Sequence, residues 1–478
     1  MAGDLFFTYY RNGIRTEPDR KLFPSESCLS VTLELTIDDS YNARVSLNDE
    51  CLLSSQVIPE ICHCVALMAW GDGSPFDIQI DHCSTECAVP QPAHASDEDS
   101  DAPMRLAHVS TFPPLHCGIA SFATDMIAAV RNVVHSKYSL HYGDAPAPDA
   151  VCSADVRSLE ALAHLARVIS ASDCDAVCLQ HEFGIWGGSQ GEHIHAFLDN
   201  LSKPVVSVLH TTFGPHVRSA VQDGIMRRLV EQSVRVIVLT DLAKTSLVAL
   251  LNSYGEKIVV LPHGVPDVPF AAPPARWKRG RSGRPCRLIS PGFLRGSKGL
   301  ETMLMALRQL LEDGRPVRYT IAGQSQVQFE GQQRYGEQLG SLVNALGLES
   351  AVELDVRYLT LEEQIEAIRR SHVGIFAYQD AGQSSSGALP LVLSVGRPAI
   401  CTPFEYARAK AREGSAIRLA EDFGTQAVVR AVETLLDGQD YLEAAERAYA
   451  ASRTWIWKEV GVRIRDECRQ ALSPGGTP

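Results

Sequence analysis

The chain has 478 residues, 45% of them apolar and 21% charged, which is typical of a globular protein of roughly three domains. Its formal net charge of −13 argues against a nucleic-acid partner, because phosphates require a basic surface. No apolar run approaches the ~20 residues of a membrane span, and the start lacks the order of a signal peptide, so we expect a cytoplasmic protein.

The N-terminal segment, residues 1–87, is predicted to be a β-rich domain, because β-branched and aromatic residues cluster between turn-forming residues. Its role stays open between acceptor binding and assembly of oligomers. Its densest set of metal-ligand types is Cys62, His63, Cys64, His82, Cys83 and Cys87. Their spacing is not that of a standard zinc site, so reduced structural thiols are favoured, with zinc as the alternative. A linker rich in Pro, Ala, Ser and Asp follows at 88–103.

From residue 104 onward, short apolar strands alternate with helical patterns, which predicts parallel sheets covered by helices on both faces. The first strands are predicted at 104–110, 176–182, 204–210, 234–240 and 257–263, with helical patterns at 120–134 and 223–234. After a second linker, further strands are predicted at 286–292, 317–323, 351–359, 372–378 and 397–403, and an amphipathic helix at 448–472. We therefore predict two doubly wound, Rossmann-like α/β domains, at 104–270 and 286–452.

The second linker, 271–285, overlaps a basic run at 276–287. A solvated linker is the favoured interpretation of that run. A contact with phosphate or with anionic lipid at a membrane surface is the alternative.

A stretch rich in glycine and histidine, residues 180–195, has three interpretations. It contains G-x-S-x-G, but Ser189 lies several residues beyond the predicted strand end, whereas a hydrolase elbow serine sits directly on the turn. Its histidines lack the i, i+4 spacing of a helical zinc pair, because residue 185 is Ile and His193 and His195 are two residues apart. A ligand-binding loop at the end of a parallel strand is the favoured interpretation.

Polar side chains fall at the carboxyl ends of three predicted strands, where doubly wound sheets bind their ligands. They are His181, Glu182, His210 and His263. We expect at least one of these histidines to contact a substrate.

Two segments of the second domain pass from a strand through a turn of small residues into a helix. In the first, Arg295 and Lys298 place two cations at a helix start, which is a natural anion site. In the second, Ser384, Ser385 or Ser386 can cap the helix. Two such helix starts in one domain suit a diphosphate.

Six segments together resemble family 4 glycosyltransferases of the GT-B fold, and the resemblance runs from about residue 104 to residue 472. They are STFPPLHCGIASFATDMIAAV, LQHEFGIWGG, VLHTTF, VVLPHGVPD, PGFLRGSKGLETMLMAL and GQSSSGALPLVLSVGRPAICTPF. The resemblance implies two Rossmann-like domains that face a cleft. The second domain would bind the nucleotide-sugar donor and the first the carbohydrate acceptor, with transfer usually retaining the anomeric configuration. The final segment, 453–478, would cross back to complete the first domain.

The resemblance also implies roles for single residues. Lys298 matches the lysine on the donor diphosphate, and Arg295 lies near the usual arginine position, which is Phe293 here. Gly118 matches the glycine loop of the first domain that approaches the donor phosphates, and His210 a cleft histidine close to the transferred sugar.

The remaining assignments follow the same pattern. Ser385, Ser386 and Gly387 are expected on the diphosphate, and Gln383, Ser384 and Tyr358 on the donor sugar or nucleotide. Phe183 and Trp186 are expected on the acceptor, and Glu182 and His181 are the fallback candidates for a catalytic base. No metal and no cofactor beyond the nucleotide sugar are expected.

The family pattern usually has a pair of glutamates eight residues apart. In this chain those two positions are Gln383 and Leu391, and this departure puts the identity of the donor in doubt. By analogy, GDP-mannose is the favoured donor, with UDP-glucose close behind.

The sequence therefore predicts a hexosyltransferase that moves mannose or glucose from a nucleotide diphosphate sugar to a carbohydrate or other hydroxyl acceptor. A sugar phosphorylase or a sugar-nucleotide epimerase on the same scaffold is the first alternative. A catalytically silent protein that binds a sugar or a nucleotide is the second.

Overall fold

A computed structural model describes residues 103–473 except 144–145, 213–217, 252, 276, 278–283, 326–333 and 439–440, and describes only the strand backbone within residues 1–102. The chain divides into two compact units, Met1–Ala102 and Pro103–Pro478.

The described strands of the first unit are antiparallel, in agreement with a β-rich segment. They are β1 (Asp4–Thr8), β2 (Tyr10–Arg11), β3 (Ile14–Arg15), β4 (Asp19–Leu22), β5 (Leu33–Ile37), β6 (Asn42–Leu47), β7 (Glu50–Gln56) and β8 (Ala66–Trp70). They form the sheets β4-β1-β8 and β5-β6-β7 and the pair β2-β3. The six residues weighed above as zinc ligands lie outside the described residues.

The second unit begins with a parallel seven-stranded sheet, which together with its helices we call the first half. Its strands are β9 (Met104–Ser110), β10 (Val133–His141), β11 (Cys152–Asp155), β12 (Ala176–His181), β13 (Val205–Leu209), β14 (Ser233–Val238) and β15 (Ile258–Val260). Its helices are α1 (Gly118–Ala129), α2 (Leu159–Ala171), α3 (Ile194–Leu198), α4 (Ala220–Gln232) and α5 (Asp241–Leu251). The strand order β11-β10-β9-β12-β13-β14-β15 reverses direction between β9 and β12.

A parallel six-stranded sheet follows, which together with its helices we call the second half. Its strands are β16 (Cys286–Pro291), β17 (Val317–Ala322), β18 (Val352–Asp355), β19 (Val373–Phe376), β20 (Ala399–Cys401) and β21 (Ile417–Leu419). Its helices are α6 (Leu300–Glu312), α7 (Tyr335–Ala345), α8 (Leu361–Arg369), α9 (Ala388–Ser394), α10 (Glu405–Arg412) and α11 (Thr425–Asp437). The order β18-β17-β16-β19-β20-β21 reverses between β16 and β19, so both sheets are doubly wound and Rossmann-like, as predicted.

Three strands, β10, β11 and β21, were not predicted, and part of β10 was predicted as helix. The helical pattern at 120–134 was too long, because α1 ends at Ala129 and Asn132 turns the chain with a left-handed φ of 59°. The β10 residues, VVHSKYSLH, mix polar with apolar types, and most are only partly buried. Such a strand lacks the continuous apolar run that identified the central ones.

The C-terminal segment predicted as one helix over 448–472 is two helices, α12 (Tyr441–Ser452) and α13 (Trp457–Leu472). Between them Ile456 is extended and pairs with Val265 of the first half. Helix α13 then packs closely on α1, since a Cβ added at Gly461 would lie 2.4 Å from the carbonyl oxygen of Ala129. The end of the chain therefore lies on the first half.

The second predicted linker contains an anchored residue, which its polar composition did not indicate. Trp277 is buried in the core of the second half, donates a hydrogen bond to the carbonyl of Leu436 (3.1 Å) and packs edge-on against His372 and Tyr441. Burying an aromatic side chain fixes the chain at this point. Most of the basic run around it lies outside the described residues.

Candidate active site

The two points where strand order reverses open onto one cavity of about 730 Å³. The loops after β9 and β12 supply its wall on the first half, and the loops after β16 and β19 its wall on the second half. Ligands of doubly wound sheets bind outside the carboxyl ends of the strands at such reversals. The cavity therefore lies where the fold predicts a ligand, and it collects most of the predicted site residues.

On the first half, Gly118 starts helix α1 at the edge of the cavity. The Cys117 side chain caps this helix, because its sulfur accepts a hydrogen bond from the amide of Ala120 (3.3 Å). A Cβ added at Gly118 would meet nothing within 4 Å, and its φ is not in the left-handed region. Neither backbone strain nor a protein neighbour requires a glycine here, which leaves room for a ligand beside the helix start.

On the second half, Lys298 is positioned by a tight loop between β16 and α6. Gly299 has a φ of 63°, and a Cβ there would lie 1.9 Å from the carbonyl oxygen of Ala377, so the loop is pressed against the end of β19. The Lys298 ammonium donates a hydrogen bond to the Tyr378 hydroxyl (2.5 Å) and lies 3.8 Å from the ring centroid. Burial, and then the charge of Arg295, lower the pKa of Lys298 well below its usual value. An anion in the cavity would relieve both effects.

Arg295 joins the two predicted diphosphate segments. Its guanidinium donates a hydrogen bond to the side-chain oxygen of Gln383 (3.0 Å), whose amide in turn donates to the carbonyl of Ser385 (2.8 Å). The Nε of Arg295 is buried and has no hydrogen-bond partner among the described residues. A buried cationic donor without a partner is costly, so this nitrogen remains available to an anionic ligand.

The turn before α9 contributes three small residues to the cavity wall, Ser385, Ser386 and Gly387. Gly387 is the N-cap residue of α9, and the Ser386 oxygen just before it accepts a hydrogen bond from the amide of Leu389 in the first turn (3.2 Å). Ser384 does not line the cavity. It is 2% exposed and accepts a hydrogen bond from the amide of Thr212 (3.2 Å), which joins the two halves.

His210 lines the cavity on the first half, and Gln180 fixes its protonation. The Nε2 of His210 lies 2.8 Å from the side-chain oxygen of Gln180, while the amide nitrogen of Gln180 faces the sulfurs of Met126 and Cys178. Since that oxygen only accepts, Nε2 carries the proton and Nδ1 is the acceptor of the neutral ring. Burial first, then neighbouring histidines, lower the pKa of His210 to about 3, so the ring is neutral at physiological pH.

Glu182 also lines the cavity, directly after β12. Its carboxylate accepts a hydrogen bond from the hydroxyl of Thr211. Burial raises its pKa, and the Thr211 hydrogen bond and the charge of Arg295 offset part of that increase. A carboxylate with a raised pKa in a cavity can exchange a proton with a substrate hydroxyl.

Besides Ser384, three predicted site residues do not line the cavity, because their side chains are buried at the end of β12 and in the loop that follows it. Trp186 is fully buried, and its indole donates a hydrogen bond to the carbonyl of Gln180 (3.2 Å). Phe183 is 7% exposed and packs edge-on against His181, which is itself fully buried. Burial lowers the pKa of His181 to about 3. The acceptor roles of Phe183 and Trp186 and the base role of His181 therefore have no geometric support.

Of the three residues predicted on the donor sugar or nucleotide, Tyr358 and Gln383 line the cavity. Tyr358 is exposed and stacks on His116 of the first half, with ring centroids 4.0 Å apart and planes at 16°. Leu391 and Phe293 also line the cavity. This part of the wall is therefore apolar.

Sequence reasoning missed several residues on the first-half wall of the cavity. Phe122 lies at the centre of an aromatic cluster, 4.6 Å from His210, 5.0 Å from His263 and 5.1 Å from Trp457 between ring centroids. Asp125, one helical turn further along α1, also lines the cavity. The spacing of 118, 122 and 125 on one helix face is a signal that could have found the α1 residues. No local signal pointed to Trp457, which returns from the C-terminal helix.

Within residues 103–473 and apart from their masked gaps, no group of three or more His, Cys, Asp or Glu side chains could hold a metal ion. None of the described helices is both long and apolar enough to cross a membrane.

Two Rossmann-like parallel sheets that face one cavity define the GT-B fold, and comparisons with known proteins show the same architecture. No family model and no curated protein matches the chain. The solved structure of Anabaena HepE in complex with UDP-glucose is similar, at 15% identity and a TM-score of 0.59 over 77% of this chain and 99% of that one.

Two synthases are similar to the same extent. The UDP-forming α,α-trehalose-phosphate synthase of Burkholderia xenovorans has 13% identity and a TM-score of 0.61 over 77% of this chain and 100% of that one. The sucrose-phosphate synthase of Thermosynechococcus elongatus has 12% identity and a TM-score of 0.60 over 77% of this chain and 98% of that one. At these identities the likeness is one of fold.

Proposed function

We propose that this protein is a retaining glycosyltransferase, of the family 4 type, that transfers a hexose from a nucleoside diphosphate to a hydroxyl acceptor. One observation carries the proposal. The cations Arg295 and Lys298 and the turn Ser385–Gly387 converge on a cavity whose opposite wall carries His210 and Glu182. The second half would hold the donor, and the first half, completed by α13, would hold the acceptor.

The cationic wall suits the leaving group. When the bond between the sugar's anomeric carbon and the β-phosphate breaks, negative charge grows on the diphosphate and positive charge on the sugar ring. Lys298 and Arg295 lie in a partly buried site, where their charges are screened less than in water. Fixed donors aimed at developing charge commonly supply 2.7–4 kcal/mol each, or roughly 10²–10³ in rate.

The opposite wall suits the sugar and the acceptor. Neutral His210, with its proton held on Nε2 by Gln180, offers Nδ1 to a sugar hydroxyl. The acceptor oxygen forms the new bond to the anomeric carbon as the phosphate leaves, and the acceptor proton passes to that phosphate. Glu182 orients the acceptor hydroxyl, and it would take the proton itself only if transfer inverted the configuration.

UDP-glucose becomes the favoured donor, ahead of GDP-mannose, because similar structures were solved with UDP or UDP-glucose and one synthase is UDP-forming. Leu391, at the position where the resemblance implies a ribose-binding carboxylate, does not distinguish the two donors, because both carry the same ribose.

A ligand panel tests the proposal. Thermal unfolding is followed with UDP, GDP, UDP-glucose and GDP-mannose, since a ligand of the folded state raises the melting temperature. Release of nucleoside diphosphate from the best donor is then measured with a panel of sugar acceptors. We expect one nucleotide series to stabilise the protein and acceptors to accelerate release.

The same assays separate the alternatives. Turnover that needs inorganic phosphate would indicate a phosphorylase, and conversion of the donor without an acceptor would indicate an epimerase. Donor binding without any turnover would indicate a silent binding protein. Stabilisation by none of the nucleotides would contradict both the glycosyltransferase and the sugar-nucleotide epimerase.

A further inference from the structure

We infer that the acceptor is an uncharged polyhydroxyl compound, a sugar or glycan without phosphate or carboxylate groups, and that Asp125 and Trp457 bind it. This inference rests on the proposed function and adds the chemical class of the acceptor. Its basis is the difference in charge between the two walls of the cavity.

The wall of the first half combines carboxylates, hydroxyls and an indole. The side chains of this wall that could contact the acceptor are Asp125, Glu182, Ser121, Thr124, Thr211 and Trp457. Among the described residues that line this wall, none is lysine or arginine. Hydroxyls and carboxylates accept and donate hydrogen bonds to sugar hydroxyls, and an aromatic ring packs on the apolar face of a sugar.

The histidines of this wall do not add positive charge. Burial lowers the pKa of His210 to about 3 and that of His263 to about 4. The Nδ1 of His263 also donates to the carbonyl of Gly264 (2.8 Å), which leaves its Nε2 as an acceptor. The histidines therefore add no positive charge beside Asp125 and Glu182 on the first-half wall.

Asp125 and Trp457 form a rigid pair on this wall. The Trp457 side chain beside Asp125 offsets part of the increase that burial causes in the pKa of that carboxyl. Its ring is held by Phe122, 5.1 Å away between centroids, and by Gly264, where an added Cβ would lie 2.2 Å from the indole. A carboxylate has about four lone-pair sites, so Asp125 can accept further hydrogen bonds from the acceptor.

A charged acceptor would not suit this wall. A phosphate placed beside Asp125 and Glu182 would meet like charge in a partly buried site, where repulsion costs several kcal/mol. The cations that could compensate, Arg295 and Lys298, stand on the opposite wall, where they face the donor diphosphate. A phosphorylated acceptor would need a cation that the described wall does not supply.

The test uses the full-length protein and two portions of one cell extract as the source of acceptors. The donor is radiolabelled UDP-glucose or GDP-mannose, whichever stabilises the protein more in the ligand panel. One portion is first treated with alkaline phosphatase and then filtered. We expect equal labelling of product in both portions and a product that passes through an anion exchanger. Loss of labelling after phosphatase treatment, or retention on the exchanger through phosphate or carboxylate, overturns the inference. Absence of labelled product together with absence of nucleoside diphosphate release removes the proposed transfer itself.

A variant pair tests the role of Asp125. Asp125→Asn keeps one hydrogen-bond acceptor but loses the charge, so it should raise the acceptor KM roughly tenfold more than the donor KM, as for a lost charged hydrogen bond. Asp313→Asn, at the exposed end of α6 and away from the cavity, should change neither constant. Equal changes in both KM values, or none, would contradict binding of the acceptor by Asp125.

Discussion

Replacing Gly118 by alanine should weaken donor binding without weakening the fold. The added methyl group would meet no protein atom within 4 Å, and the backbone is not left-handed, so the folded state accepts it. A Gly→Ala change at such a helical site stabilises a protein by about 0.4–1 kcal/mol. If a diphosphate approaches the start of α1, however, the methyl group takes up its space, and overpacking of this kind costs about 1–3 kcal/mol.

The assay compares donor-induced stabilisation in two matched variants. Gly224→Ala is the control, because Gly224 lies inside α4, a Cβ there also meets nothing within 4 Å, and it does not line the cavity. At a donor concentration of 100 Kd, the wild type should gain about 2.7 kcal/mol from the donor. A tenfold weaker donor would supply only about 1.4 kcal/mol to Gly118→Ala, and Gly224→Ala should keep the full gain. Equal donor-induced stabilisation of the two variants would show that the donor does not approach the start of α1.

Three further predictions follow from single contacts. Lys298→Ala should lower kcat about 10²-fold in steady-state kinetics, as for one lost charge-stabilising donor, whereas Lys244→Ala, half-buried in α5, should not. Gln180→Glu places a carboxylate opposite His210, so the pKa of His210 should rise. The acid limb of the kcat–pH profile should then move to higher pH. An acid limb at the same pH as in the wild type would argue against this contact. Burial raises the pKa of Asp125 from 3.8 to about 6, so its charge disfavours folding above pH 6 and not below pH 4. This pKa change corresponds to about 3 kcal/mol, which solvent screening of the partly exposed carboxyl reduces to about 2 kcal/mol. Asp125→Asn should therefore be more stable than the wild type by that amount at pH 8, and chemical unfolding should show the gain disappearing near pH 4.

The fold could be predicted where a strand is buried along nearly its whole length. Strand β9 was predicted at 104–110 and runs from Met104 to Ser110, where every residue but one is buried. At the edge of the same sheet β11, Cys152–Asp155, has no such run, since only one of its four residues is buried. Strand β11 therefore lacks the two-sided burial that identifies a central parallel strand in a sequence.

The donor side of the site could be predicted for a related reason. The carboxyl ends of parallel strands meet at one edge of a sheet, so any strand prediction also predicts which loops lie together. Lys298 and the turn after β19 were found in this way, and both line the cavity. Gln180 could not be found, because it lies inside a fully buried strand, where the sequence does not distinguish a residue that positions a histidine from a core residue.

Several residues on the first-half wall could not be predicted, because segments that are distant in the sequence build this wall. For the same reason the cavity is complete only when the two halves are held together. Trp457 arrives from the C-terminal helix, after Ile456 has paired with Val265. Ser384, predicted as a donor ligand, instead joins the second half to Thr212 through a buried hydrogen bond of 3.2 Å. Neither half alone carries both the cations for a leaving diphosphate and the acceptors for a sugar hydroxyl. Misplacing reacting groups by about 1 Å can cost about 10²-fold in rate, so contacts between the halves that touch no substrate should matter to turnover as much as those that do.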